Sequence, residues 1–159
     1  MLRRNKSRTT RAQGAAFAIV ASQYNVEYVN AMLRAAEAEL KGAGGQVKTV
    51  RVPGAYEIPV VAARLARTGK FAAIICLGVI LRGQTTHAAH IGEAVTNALT
   101  AIQLETEVPV IHEVLLLESR DQAEVRCRDP KHNRGQEAAT TALAMAAVMA
   151  GLVAKRSGA

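Results

Sequence analysis

Apolar residues recur along this chain in two rhythms. Four short stretches, AFAIVAS at 16–22, QVKTVRV at 46–52, AAIICLGVI at 72–80 and VIHEVLLLE at 110–118, read as strands. The second alternates polar and apolar residues. The third is continuously apolar, as a strand buried on both faces of a parallel sheet should be. Between the strands the spacing changes to three and four. Val29, Met32, Leu33, Ala36 and Leu40 share one helical face, with Asn25 expected as the N-cap and GAGG at 42–45 as the stop. Pro53-Gly54 turns the chain into a second helix through about Arg67. A long third helix is predicted from about Thr86 to Thr106, a short helical segment opens at Ser119, and an Ala-rich last helix runs from Gln136 to about Val153. The stretch DPKHNRG before it reads as a loop. Strands alternating with helices predict an α/β domain, a parallel sheet covered on both faces.

Composition sharpens this picture in two ways. Hydrophobic residues make up 50% of the 159 positions but aromatics only 3%, so the core must be closed by small side chains, Ala above all. No apolar run approaches the length of a membrane span, and the basic N-terminus lacks the apolar stretch of a secretory signal, so a cytoplasmic protein with no membrane partner is expected. The net charge of +7 is concentrated at the ends: Arg3, Arg4, Lys6, Arg8 and Arg11 at one, Lys155 and Arg156 at the other. The body is neutral by formal count. Residues 1–14 therefore read as a basic, disordered arm, 15–154 as the domain and 155–159 as a basic tail. A neutral body without a platform of several aromatics argues against a specific nucleic-acid partner. Cys76 lies in an apolar run, and neither it nor Cys127 has a neighbour at metal-ligand spacing, so no metal is expected.

Ligands of parallel α/β sheets gather at the carboxyl ends of the strands. That rule selects Ser22–Asn25, Val52–Glu57, Gly78–His87 and Ile111–Leu116. LRGQTTH at 81–87 combines a flexible Gly83 with Gln84, Thr85 and Thr86 at the start of a helix. Free N–H groups there suit an anion such as phosphate, while Thr85 or Thr86 as a plain helix cap fits equally well. His87 in the first turn is a candidate for proton transfer, or a surface histidine. His90 makes an HAAH pair with it, a weak metal signal. Glu57 either caps its helix or accepts hydrogen bonds from substrate hydroxyls. Tyr24 offers an aromatic face and Asn25 an amide; His112, Arg126 and Arg134 complete the candidates. Together these residues suggest a small phosphorylated substrate and a planar hydroxylated one.

The segments IVASQYN, VPGAYEIP, GVILRGQTTH and RGQEAA, in this order and spacing, resemble the lumazine synthase family over roughly residues 16–153. The resemblance implies a flavodoxin-like three-layer α/β/α sandwich with a four-stranded parallel sheet. It implies condensation of 5-amino-6-ribitylaminouracil with 3,4-dihydroxy-2-butanone 4-phosphate to give 6,7-dimethyl-8-ribityllumazine, phosphate and water, a step of riboflavin biosynthesis that uses neither cofactor nor metal. Matched to the family's pattern, His87 is the proton-transfer residue. Gln84, Thr85 and Arg126 fall on phosphate-binding positions. Tyr24 and Asn25, the segment Ala55, Tyr56 and Glu57, and the strand end Val79, Ile80 and Leu81 fall on positions that hold the pyrimidine and its ribityl chain. His112 stands where the family has an aromatic, commonly Phe, reaching the pyrimidine from an adjacent subunit. Leu116 replaces a Thr, Arg134 a Lys, and Ala88 and His90 replace larger or aromatic residues. The family assembles as pentamers, some of them built further into sixty-subunit icosahedral shells, and the short RDPKHNRG loop is of the shell-forming type. The resemblance leaves metabolic coupling to riboflavin synthase open. The rival reading is a structural shell or scaffold of the same fold with weakened catalysis.

Overall fold

In the computed structural model, which describes residues 11–154, four strands form one parallel sheet. They are β1 (Ala16–Ser22), β2 (Gln46–Val52), β3 (Ala73–Leu81) and β4 (Val110–Leu117), in spatial order β2-β1-β3-β4. Five helices cover them: α1 (Val26–Gly42), α2 (Ile58–Ala66), α3 (His87–Thr106), the single turn α4 (Arg120–Ala123) and α5 (Arg134–Ala154). Most of the expected basic arm, residues 1–10, and the tail, residues 155–159, lie outside the described residues. Ala12 and Gly14, which precede β1, donate backbone hydrogen bonds to Ala43 and Gly44 at the end of α1.

The period of two in β1 divides the core. Phe17, Ile19 and Ala21 face α1 and α5, joined by Ile75 and Leu77 of β3, while Ala18 and Val20 face α2 and α3 with Ile74 and Cys76. The result is the expected flavodoxin-like α/β/α sandwich. Cys127 is buried in the α1/α5 layer and Cys76 in the opposite one, so the sheet separates two free thiols. Burial pushes both up to about 12, with Glu113 and Glu124 adding to the effect at Cys127, so neither is a ready nucleophile.

Small residues let α1 and α5 approach closely. Ala36 of α1 and Ala138, Ala139 and Ala142 of α5 are fully buried, and a Cβ at Gly135 would overlap the Met32 backbone. Asn133 fastens the same corner. Its Oδ1 accepts from the Gly135 N–H at 2.8 Å, and its Nδ2 donates to the Cys127 carbonyl at 2.7 Å. The last helix therefore starts at Arg134, two residues before the predicted Gln136, because Asn133 caps it.

Three further expectations are corrected. Asn25 stands at the N-cap of α1 but adopts a left-handed conformation (φ 54°), and its amide points to β3 instead of capping the helix. Thr86 holds the N-cap position of α3 without a side-chain cap. Ile111–Leu116, selected as a strand-end segment, instead lies wholly within β4, where the apolar pattern had placed a strand. After β4, Ser119 does open the short helix, its Oγ accepting from the Gln122 N–H at 3.2 Å, and α4 widens into a π-helical turn over Glu124–Arg128.

Candidate active site

The chain runs from β1 outward to β2, then crosses back over β1 to β3. The connections after β1 and β3 therefore leave in opposite directions, opening a crevice between the carboxyl ends of these two strands. Three of the four selected loops meet there. Gln23 N–H donates to the Val52 carbonyl at 2.9 Å and Tyr24 N–H to the Pro53 carbonyl at 3.2 Å, tying the β1 loop to the β2 loop. Asn25 Nδ2 donates to the Val79 carbonyl at 2.8 Å, tying it to the end of β3. The left-handed turn at Asn25 is what aims its amide across the crevice.

Ala55, Tyr56 and Glu57 form a single 3₁₀ turn between β2 and α2. The Glu57 carboxylate reaches back to accept the Gly54 N–H at 3.0 Å, so the capping role open in the sequence is realised. Glu57 nevertheless stays exposed, and that bond leaves most of its acceptor capacity for hydroxyl donors. Gly54 leaves these side chains room: a Cβ would stand 2.9 Å from the Glu57 carboxylate and 3.0 Å from the Tyr24 ring, so both would have to shift. Tyr24 and Tyr56 remain 71% and 64% exposed, so two aromatic faces are open at the crevice mouth.

Val79 is buried and Ile80 and Leu81 are half-buried at the end of β3. Gln84, Thr85 and Thr86 follow, all exposed, and lead into α3 with its positive dipole end toward the crevice. Thr85 Oγ1 accepts the His87 N–H at 3.4 Å. The His87 ring is exposed and makes no hydrogen bond with the described residues. His90 joins no group of three His, Cys, Asp or Glu side chains able to hold a metal among the described residues.

His112 and Arg126 lie elsewhere. His112 pairs with Cys76 in the register of β3 and β4, four residues before the Ile80–Leu116 pair, about 13 Å back along the strand at the usual rise. Arg126 is exposed in the π-helical turn on the α1/α5 side of the sheet, whereas α3 covers the other side. One copy of the chain therefore leaves both His112 and Arg126 outside the group of candidates at the crevice.

Around Arg126 lies a residue that sequence reasoning missed. Glu113 points from β4 toward α5 in a stretch read as apolar, and no spacing signal marks it. It is half-buried and has no close ion pair among the described residues, with Glu137 paired to Arg134 at 2.8 Å. Burial pushes its carboxyl up to about 7, Glu137 adds to the rise, and Arg134 and Arg126 oppose it. Because the folded pKa lies above the ordinary value of 4.5, folding is favoured most below about pH 4.5 and loses stability as pH rises through 7. The loss amounts to about 3 kcal/mol. Glu113→Gln should therefore melt above the parent protein at pH 8.5 and near it at pH 5. Parallel melting curves of both proteins across that range would refute this.

Ser22, at the carboxyl end of β1, was also overlooked as a residue in its own right. Its Oγ is buried and has no hydrogen-bond partner among the described residues. Gly78 across from it packs tightly, a Cβ there falling 3.2 Å from that oxygen. At the opposite end of the sheet, Leu104, Val108, Pro109, Met145, Met149 and Leu152 line most of an open, mainly apolar groove of about 520 Å³. It lies far from the convergent polar groups and is not the candidate active site.

Comparison with known proteins agrees with the motifs. A family model for 6,7-dimethyl-8-ribityllumazine synthase matches residues 14–150. Curated 6,7-dimethyl-8-ribityllumazine synthases are similar over most of their length. That of Xanthomonas oryzae pv. oryzae is 39% identical over 138 residues, 85% of this chain and 90% of the relative. That of Xanthomonas campestris pv. campestris is 40% identical over the same shares of the two chains. The protein from Stenotrophomonas maltophilia is 39% identical over 136 residues, 84% of this chain and 88% of its own.

Proposed function

The chain belongs to the 6,7-dimethyl-8-ribityllumazine synthase family, and from that premise we propose how its residues divide the work. It is a transferase of riboflavin biosynthesis, condensing 5-amino-6-ribitylaminouracil with 3,4-dihydroxy-2-butanone 4-phosphate. The crevice between β1 and β3 takes the pyrimidine. Tyr24 stacks on its ring, Asn25 braces the strand ends, and Val79, Ile80 and Leu81 line the wall. Ala55, Tyr56 and Glu57 hold the ribityl chain, with the Glu57 carboxylate accepting from its hydroxyls. The phosphorylated ketone lies toward Gln84, Thr85 and the start of α3.

The amine attacks the ketone and loses water to form a Schiff base, phosphate leaves, and the ring closes on the second carbonyl with loss of another water. Each stage moves a proton, and His87 carries it. The departing phosphate is stabilised by the dipole of α3 and by Arg126. Holding both substrates in one crevice supplies much of the remaining acceleration.

The separation of His112 and Arg126 from the crevice carries the last part of this reading: the site is shared, one copy supplying the crevice and a neighbour supplying those two side chains. A pentamer gives such an arrangement by cyclic symmetry, and the short loop before α5 suits further assembly into an icosahedral shell in the cytoplasm. Large apolar side chains left exposed on one copy, including Val26, Leu104, Val125, Val148 and Leu152, favour such burial.

Mixing both substrates with the protein and following the fluorescent product tests the reaction. Absence of product above background would leave the scaffold reading in its place. His87→Ala and Arg126→Ala, each slow alone, test the sharing. Co-assembled, they should recover roughly a quarter of parent turnover, the fraction of interfaces that combine two intact halves. Activity no greater than the sum of the two variants would confine the site to one copy.

A further inference from the structure

The imidazole of His112 is held in a closed chain of hydrogen bonds. Thr96 Oγ1, on α3, donates to the Gly92 carbonyl at 2.8 Å and lies 2.8 Å from His112 Nε2. A hydroxyl that donates to Gly92 is free to accept from that nitrogen, which suits a ring proton on Nε2. On the other side of the ring, Nδ1 accepts the Val114 N–H at 3.1 Å. A second proton on Nδ1 would face that N–H and break the bond. The chain of bonds thus selects one neutral tautomer.

Among the described residues nothing around the ring favours its cation. Burial lowers its pKa from the ordinary 6.5. Across β3 it pairs with Cys76, whose thiol is pushed up to about 12 and stays uncharged. On α3 the packed neighbours are Gly92 and Thr96, and the nearest charged residue along the helix, Glu93, is exposed. Both ring nitrogens are occupied within the chain, so a half-buried His112 on the sheet's edge strand can offer a partner little except a flat, uncharged face.

We propose that Thr96 is a positioning residue for the planar substrate: it locks His112 as a neutral plate that stacks on the heterocycle in the site completed by a neighbouring copy. The inference rests on the reading above, in which His112 lines the pyrimidine site. It explains how a histidine serves where a permanently uncharged aromatic would be the simpler choice. A freely rotating or protonated imidazole would spend binding energy on ordering or on desolvation of its charge; the locked ring avoids both. The hydroxyl never touches substrate and acts only through His112.

The test uses the full-length assembled protein with Thr96→Val, Thr96→Ser, His112→Ala and the double variant His112→Phe/Thr96→Val. Thr96→Val should raise KM for the pyrimidine about three- to tenfold, the span of one aromatic contact. Its kcat and its KM for the ketone phosphate should stay within about twofold of the parent. Thr96→Ser, which keeps the hydroxyl, should behave like the parent, and the double variant should regain pyrimidine affinity because phenyl needs no tautomer. In ¹⁵N spectra of the histidine-labelled parent, His112 should remain the Nε2–H form from pH 6 to 8. Loss of that signature in Thr96→Val without a change in pyrimidine KM would overturn the role of Thr96, as would equal losses in kcat and both KM values. A mixed or Nδ1–H tautomer in the parent would overturn it regardless of how the variants fold. An unchanged pyrimidine KM in His112→Ala would remove His112 from the site and take the proposal with it.

Discussion

His87→Ala should lower kcat by about 10²–10⁴-fold, the usual worth of a positioned acid–base group, while changing KM for either substrate little. The ring stands in the first turn of α3 at the crevice mouth, and the described residues engage neither of its nitrogens. Both are therefore available to the reacting groups. Schiff-base formation removes a proton from the amine, and ring closure delivers one to the departing water, so a single carrier appears more than once along the path. Its loss should fall on the chemical steps and spare binding, which the proposed reading assigns to Tyr24, Glu57 and the α3 terminus. Added imidazole should restore part of the lost rate, because a diffusible base can enter where the ring stood. A kcat within about threefold of the parent would assign the proton to another group.

Gly135→Ala should destabilise the protein by about 3 kcal/mol or more, with a melting temperature lower by about 6–12 °C at equal protein concentration. The new Cβ would overlap the Met32 carbonyl, which is backbone in the middle of α1 and has no rotamer to escape into. Relief requires α5 to move away from α1, opening gaps around Ala36, Ala138 and Ala139 and straining the Asn133 bonds that start the helix. Gly151→Ala is the control in the same helix. A Cβ there meets nothing within 4 Å, so the change should be neutral or stabilising by up to about 1 kcal/mol. Equal melting temperatures for the two variants would show that α1 and α5 adjust to each other freely.

The order of elements was legible from periodicity alone, because a side chain's face is set by local geometry: two residues per repeat in a strand, about three and a half in a helix. The strand ends as the place for a site were equally legible, since a parallel sheet points them all one way, but the crevice between β1 and β3 needed the spatial order of the strands. Misreadings occurred where a side chain answers to a distant partner. Asn25 looked like a cap and is instead a brace to Val79, 54 residues away. Glu57 fitted two roles, and only the approach of Gly54 settled that it caps its turn. Glu113 passed as part of an apolar strand because nothing nearby in sequence announces Arg126, Arg134 and Glu137 around it.

What the sequence determined by itself is therefore whatever depends on neighbours along the chain: element types, layer order, the family and the strand-end loops that hold the candidate residues. The tertiary structure decided what depends on contacts across it. It gave His112 its tautomer through Thr96 and Val114, gave Glu113 its affinity for a proton, and made Gly135 indispensable where two backbones meet. It also set His112 and Arg126 apart from the crevice. The physical reason is the same throughout: hydrogen bonding, desolvation and steric overlap act over a few ångströms of space, and only folding determines which residues come that close.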